Sequence, residues 1–271
     1  MAGVLSNTGA SGNGPLGLGI LPKIQARIQA ITHPTPPGPK IVSHTMQNVS
    51  GTFKSGQPVT LQPIKAVAGG SVYVFSELSA FFAGVVVTDN AGNTYTNIST
   101  TRKTSQGTDN WILPNAMHFG LFVADNVNVP SSGQLTITIT VTSGNIITGM
   151  MHNISIALSG TANPSLDAIG TNAVSQGATA SASVPTSAAN DLVLAFFLTQ
   201  GTAPTISGGT LLDTYYDSTY VWSLSDAYAV GSSSGSVTVS AAVQNPSTSG
   251  ALGGYWEAQA ISIKAATPAG G

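Results

Sequence analysis

The sequence predicts an all-β protein in which two tandem antiparallel β-sandwich domains follow an extended N-terminal arm with a short amphipathic helix. Residues 133–142 alternate aliphatic side chains with threonine, the pattern of a strand with one buried and one solvent-facing surface. About a hundred residues later, residues 235–241 repeat this alternation after another glycine, and the flanking segments repeat with it. The repeat indicates one β module used twice.

Residues 1–40 are predicted to form an anchoring arm. Residues 1–19 are rich in Gly, Ser and Asn and too poor in apolar side chains to fold alone. A helix is predicted around Pro22 because isoleucines recur at helical spacing, and a proline-rich spacer follows at residues 34–39. The helix is marginal in water unless its apolar stripe docks, either on the chain's own first domain or on another subunit. Its predicted partner-binding residues are Ile20, Leu21, Ile24, Arg27, Ile28 and Ile31.

The first β-sandwich is predicted over residues 41–160 and the second over residues 161–271, with a linker at residues 159–166. About seven short strands separated by turn residues in the first module are typical of an antiparallel sandwich. Its best-marked turn is Asp-Asn-Ala-Gly-Asn at residues 89–93. In the alignment of the two modules, Asn190 is placed opposite Gly70.

Charged residues make up only 7% of the chain, and this low fraction limits which kinds of molecule the protein can bind. A coat of Ser, Thr, Asn, Gln and Gly is typical of particle-surface proteins and extracellular modules that contact glycans or one another, and its weak repulsion favours a homo-oligomer. The scarcity of Lys and Arg argues against nucleic-acid binding, and no run of about 18 apolar residues predicts a membrane span. The N-terminus lacks the basic start and apolar core of a secretory signal, so we do not expect export by a standard signal. The absence of cysteine fits maturation in a reducing cytosol.

No cluster of side chains predicts catalysis, a metal centre or a cofactor. Glycine-rich motifs at residues 12–17 and 231–235 match a dinucleotide fingerprint and a nucleophile elbow as letters, but neither lies in the strand and helix context that its motif requires. The four histidines lack the close spacing of a zinc pair. Asp213, Asp217 and Asp226 could meet a calcium ion, but turn residues are the favoured interpretation. We therefore expect a protein that is not an enzyme.

An aromatic stretch at residues 213–222 is the candidate ligand-binding surface. Its predicted ligand-binding residues are Tyr215, Tyr216, Tyr220 and Trp222, because rings among short polar residues give contact area for glycans or proteins at a small entropic cost. The alternative is a strand whose alternate rings are core. Tyr216, Tyr220 and Trp222 share one phase of the alternation and Tyr215 has the other.

Residues 85–96, followed by a Phe-Val-Ala strand, the Leu-Thr-Ile-Thr-Ile-Thr-Val strand and a closing Ile-Ser-Ile-Ala-Leu-Ser-Gly, resemble the immunoglobulin-like modules of tailed-bacteriophage surface proteins and of some bacterial surface proteins. The resemblance spans residues 41–265 and rests on turn and strand patterns. It implies two tandem Ig-like sandwiches in a non-enzymatic virion protein, of the capsid decoration, head-fibre or tail adhesin type. The arm would bind other virion subunits, and the outer module would contact a host-surface glycan. The alternative is a carbohydrate-binding or adhesive module of a bacterial surface protein.

Overall fold

Every regular element in the described part of the chain is a β-strand, which confirms the all-β prediction. The structure is a computed structural model that describes residues 38–79, 82–98, 117–144, 147–171, 173–218, 222–244 and 255–266. The predicted helix, with Ile20, Leu21, Ile24, Arg27, Ile28 and Ile31, lies outside the described residues.

The first half of the chain forms an inner and an outer antiparallel sheet. Strands β1-β10-β4-β7-β6 make the first inner sheet, β2-β9-β5 make the first outer sheet, and the short pair β3-β8 prolongs the outer sheet. These strands are β1 (Lys40–Phe53), β2 (Pro58–Thr60), β3 (Ile64–Lys65), β4 (Ser71–Ser79), β5 (Phe82–Asp89), β6 (Thr96–Asn97), β7 (Met117–Ala124), β8 (Gln134–Leu135), β9 (Ile137–Gly144) and β10 (Ile147–Ser159).

The second half forms a second inner and a second outer sheet. Strands β11-β19-β14-β17-β16 make the second inner sheet, in which β12 also pairs with β19, and β13-β18-β15 make the second outer sheet. These strands are β11 (Thr161–Ile169), β12 (Ala173–Gln176), β13 (Thr179–Thr186), β14 (Leu192–Gln200), β15 (Thr202–Ser207), β16 (Thr210–Asp217), β17 (Trp222–Val230), β18 (Gly235–Gln244) and β19 (Tyr255–Ala265).

The two halves repeat one strand order. When β2 with β3, β8 with β9 and β11 with β12 are each counted as one strand, the inner sheet of both halves runs 1-8-3-6-5 and the outer sheet runs 2-7-4. The two alternating segments that predicted the repeat occupy the same place, the middle strand of each outer sheet. In the first of them Leu135, Ile137, Ile139 and Val141 are buried, whereas the threonines between them are partly exposed.

In the part of the chain that the structure describes, three apolar cores lie between the four sheets, which therefore stack as outer, inner, inner, outer. The first outer core separates the first outer and first inner sheets, and the second outer core separates the second inner and second outer sheets. The central core joins the two inner sheets, where the rings of Phe75 and Phe196 stack with centroids 4.7 Å apart and planes 6° from parallel. Because β4 and β14 are covered on both faces, each contains an uninterrupted apolar run, at residues 72–75 in β4 and residues 192–198 in β14. Pro37–Thr267 form one compact unit.

Backbone hydrogen bonds at the start of β4 and β14 fix how the repeats superpose. The amide of Gly69 donates to the Val127 carbonyl, as the amide of Asn190 donates to the Gly231 carbonyl. Gly69 and Asn190 also share a left-handed backbone, with φ of 79° and 70°. Asn190 is therefore equivalent to Gly69, and the predicted alignment with Gly70 is wrong by one residue. With the corrected register Phe75 is equivalent to Phe196, and the same face of each inner sheet enters the central core.

The predicted linker at residues 159–166 is instead mostly strand. β10 ends at Ser159 and β11 begins at Thr161, with register shifts in its pairing to β19. Hydroxyl groups tie this segment to the first half: Thr161 to Ser71 at 2.9 Å, and Ser165 to the Tyr73 hydroxyl at 2.6 Å. Ser71 also donates to Asp125 at 2.7 Å. Burial beside these partners holds the segment as an edge strand, which its Pro and Gly content did not suggest.

Candidate functional site

The β16–β17 hairpin carries the predicted ligand-binding aromatic residues, and the structure does not gather them on one surface. Tyr215 pairs with Leu224, and Trp222 lies two residues before Leu224, so Tyr215 and Trp222 share the face that enters the central core. Trp222 is 7% exposed, whereas Tyr216 is 37% exposed on the opposite face. Tyr220 lies outside the described residues. The ligand-binding role of the four residues stays a prediction.

Asp226 is the most unusual residue of this hairpin. It lies on β17 with no exposed surface, and its register partner on β14 is Phe196. Neither carboxylate oxygen has a hydrogen-bond partner among the described residues. A carboxylate in such surroundings loses its hydration without compensation, so the neutral acid is strongly favoured.

Burial raises the pKa of Asp226 from 3.8 to about 7, and the negative charge of Asp213 on β16 adds to this shift. Asp213 is the register partner of Asp226 across the hairpin. The backbone amides of both residues oppose the shift, but neither makes a hydrogen bond of normal geometry to the carboxylate. The neutral acid form of Asp226 therefore persists to a higher pH than that of an exposed aspartate.

A strip of polar side chains connects this hairpin to the edge of the first inner sheet. His44 Nε2 on β1 lies 4.0 Å from Asp213 Oδ2. The ring of Tyr215 lies 5.3 Å from the ring of His152 on β10, measured between centroids. His152 Nδ1 is in turn 2.5 Å from Asn48 Oδ1 on β1. We call Asp226, Asp213, Tyr215, His44, His152 and Asn48 the Asp226 strip.

The strip shows where the predictions about carboxylates were wrong. Asp213, Asp217 and Asp226 lie on β16 and β17, so the favoured interpretation as turn residues is wrong. The structure brings Asp213 to Asp226, and the side chain of Asp217 lies outside the description. Within the described ranges, no group of three or more His, Cys, Asp or Glu side chains is placed to hold a metal ion. His152 is buried and hydrogen-bonded, as expected for a structural histidine.

The face of the second inner sheet that carries Asp226 also carries other buried polar residues, among them two on β19. Glu257 and Gln259 on β19 precede Ile261 and Ile263 in the same alternation, and are 1% and 2% exposed. Sequence reasoning did not identify Glu257 and Gln259, and it interpreted Asp226 as a turn residue. The signal was present, since Asp226 falls in phase with Trp222, Leu224 and Tyr228, the large side chains of its strand.

The turn at residues 89–93 is confirmed, and its geometry follows from one carboxylate. Asp89 Oδ1 accepts the amides of Ala91 at 2.9 Å and Asn93 at 3.1 Å, and Asp89 Oδ2 accepts the Tyr95 hydroxyl at 3.0 Å. Burial raises the pKa of Tyr95, with the Asp89 charge as the second cause. Asp89 thus serves the turn, and no ligand role is needed to explain it.

No family model matches the chain, and no curated protein and no solved structure matches it either. No membrane-spanning helix is found among the described residues.

Proposed function

We propose that the chain is a non-enzymatic structural protein of a virion or a similar particle, serving capsid decoration or host-surface adhesion. Its arm, which lies outside the described residues apart from its last few, is the proposed anchor to other particle subunits. The observation that carries the proposal is the repeated strand order. The two halves have the same strand order and meet in the central core, so their four sheets form one stack. Such a stack is suited to a rigid surface component.

We further propose that each half is a jelly roll. The tandem immunoglobulin-like arrangement expected from the sequence is not confirmed. In an immunoglobulin sandwich the first two strands are neighbours in one sheet, whereas here the first strand pairs with the last and the second strand belongs to the other sheet. Jelly rolls form viral capsid and lectin domains. This support is an analogy of fold, and it favours a particle or glycan-contacting protein over an enzyme only at that level.

The outer surfaces support a neutral particle coat. On the second outer sheet, the hydroxyl groups of Ser181 and Ser240 lie 2.9 Å apart, and those of Ser183 and Thr238 lie 2.7 Å apart. Cross-strand hydroxyl pairs of this kind hold a sheet surface without charge. Copies of such a surface repel one another weakly, which favours dense packing on a particle.

Strand β1 is the proposed contact between copies. Among the described strands it pairs only with β10, over a register that runs from Lys40 to Phe53, and residues 41–53 contain no Pro, Lys, Arg, Asp or Glu. Long edges without such residues readily pair with another strand. The opposite edges are less suited to pairing, because β6 has two residues and β11 has register shifts. We therefore propose a homo-oligomer formed by antiparallel pairing of β1 with β1 of a second copy.

Two changes to the chain test these proposals: a deletion in the arm and a lysine introduced on the edge strand β1. Deleting residues 1–33 is expected to leave folded sheets by circular dichroism and to abolish incorporation into the particle. Thr45→Lys on β1 is expected to weaken self-association in sedimentation velocity, whereas Thr138→Lys on the middle strand β9 is the control and leaves it unchanged. Full incorporation of the truncated chain contradicts the anchor, and equal association of the two lysine variants contradicts the β1 contact.

The second candidate, a carbohydrate-binding or adhesive protein, is favoured by the partly exposed Tyr216 next to the Tyr215 ring. Glycan-array binding by the full chain, without self-association, supports it. The full chain is the right sample because the two halves share the central core, so an isolated half would expose that core.

A further inference from the structure

Asp226 occupies a position that is apolar in the other half of the molecule. Phe75 pairs with Leu121 and Phe196 pairs with Asp226, so Leu121 and Asp226 are equivalent in the repeat. Both residues have no exposed surface. A leucine of the first half is therefore matched by a carboxyl group of the second half within the same central core.

The groups around Asp226 offer it little compensation when it is ionised. On β14 its neighbour is the Phe196 ring, and beyond β14 the same face of β19 carries Gln259 and the acidic Glu257. On β16 it meets Asp213, a second acid, with Tyr215 two residues further on. The facing sheet contributes His44 on β1, which lies beside Asp213, His152 on β10, which contacts Tyr215, and the Tyr73 phenol on β4. In backbone register, Glu77 of β4 is the neighbour of His152.

The β16–β17 hairpin is placed to move if Asp226 ionises. β16 is an edge strand of its sheet and pairs with β17 alone among the described strands. Side-chain contacts that β16 makes with the facing sheet include the His44–Asp213 pair and the Tyr215–His152 ring contact, both at the open edge beside β1. Separation of this edge breaks these contacts together with the packing of Leu212 on the central core, and it lets water reach the carboxylate.

We propose that the protonation state of Asp226 is a latch for the hairpin. With a neutral carboxyl group, β16 packs on the first half and the Tyr215 ring is held against His152. With an ionised carboxylate, the edge opens, Asp226 is hydrated and Tyr215 becomes accessible. Exposure of the Tyr215 side chain thus rises with pH. The raised pKa of Asp226 is consistent with a transition near neutral pH.

Hydrogen exchange on the full chain tests the latch. After correction for the intrinsic exchange rate, peptides from residues 210–230 are expected to lose protection by about tenfold or more between about pH 5 and about pH 8. Peptides from β7 in the first half serve as the internal reference and keep their protection. Asp226→Asn removes the ionisable group, so its hairpin is expected to show the same protection at both pH values. The latch is wrong if the wild-type hairpin shows no such loss, or if Asp226→Asn loses protection as the wild type does.

Two further measurements guard against a variant that fails to fold. Asp226→Leu copies the residue of the first half and is expected to behave as Asp226→Asn does. Carboxyl carbon NMR of the wild-type chain reads Asp226 directly, and a midpoint about two or more pH units above that of an ordinary Asp supports the latch. If every Asp carboxyl group titrates below about pH 5, the latch is excluded.

Discussion

The two halves of the molecule share a strand order but differ in what they place in the shared core. Around the stacked phenylalanine rings, the first half places Ile154 and Leu121 beside Phe75, whereas the second half places Gln259 and Asp226 beside Phe196. The outer cores differ as well. The first is built from large aliphatic residues such as Ile137 and Ile139, and the second from alanines with Phe197 and Trp256.

The repeated fold therefore depends on strand order and alternation, and it tolerates wide changes in side-chain volume and polarity. Equivalent faces meet through equivalent residues, as in the symmetric interface of a dimer. One side of that interface nevertheless contains the Asp226 carboxyl group, whose oxygens have no hydrogen-bond partner among the described residues, and its burial reduces stability rather than adds to it. Residues retained at such a cost are candidates for function.

The largest expected effect is at the stacked rings. Phe75→Ala and Phe196→Ala are each expected to lower the free energy of unfolding by about 3–5 kcal/mol, because each removes a fully buried ring. The double variant is expected to cost less than the sum by about 0.5–1.5 kcal/mol, since the stacking is lost once. Urea denaturation measures all three. Strict additivity of the two losses would contradict direct contact between the halves.

The next effect is the pH dependence due to Asp226. Its pKa is raised in the folded state to about 7, so the folded protein binds more protons than the unfolded chain between about pH 4 and pH 7. Stability from this group is therefore complete below about pH 4, falls by up to roughly 4 kcal/mol as the pH rises to about 7, and is level above that. Asp226→Leu is expected to remove this decline and to be more stable than the wild type near pH 8.

The reciprocal variant sharpens the same comparison. Leu121→Asp places a second buried carboxyl group at the equivalent site and is expected to add a decline of the same sign. Asp213→Asn removes the neighbouring charge and is expected to lower the pH at which Asp226 titrates. Denaturation curves at a series of pH values give both results. The account is contradicted if the free energy of unfolding of the wild type, relative to that of Asp226→Leu, rises between about pH 4 and pH 7.

Packing volume gives a smaller effect. Ala241→Leu in the second outer core is expected to cost about 1–3 kcal/mol, because the site is fully buried among small residues and has no room for the added carbons. Ile139→Leu in the first outer core keeps the volume and is expected to cost less than about 1.5 kcal/mol. Thermal unfolding of the two variants compares the cores. The reverse order would mean that the alanine-rich core is loosely packed.

The smallest effects are expected at the two tyrosines of β16. Tyr216→Ala, at a side chain that is 37% exposed, is expected to change stability by no more than about 0.5 kcal/mol. Tyr215→Ala removes the contact with His152 and is expected to cost about 1 kcal/mol. Glycan or cell binding measured on both variants separates recognition from stability. Lost stability with unchanged binding would defeat the ligand-binding role of these tyrosines.

Much of the fold could be predicted from the sequence because alternation reports directly on burial. The strands at residues 133–142 and 235–241 and the repeat were found in this way. The turn at residues 89–93 was found from its Asp, Asn and Gly residues. The pairing of distant strands was not, since the order 1-8-3-6-5 depends on contacts far apart in the chain. Asp226 was misinterpreted because composition alone predicts an exposed carboxylate. Its burial depends on the pairing of β17 with β14 and on the packing of the two inner sheets.

The central claim is that the two halves form one unit through the central core. Native-state hydrogen exchange of the full chain measures it most directly, by comparing amides in β4 and β10 with amides in β14 and β19. We expect the most protected amides of both halves to exchange with one common free energy of global unfolding, and to shift together in Phe75→Ala. Separate free energies for the two halves, with only the first affected by Phe75→Ala, would contradict the claim.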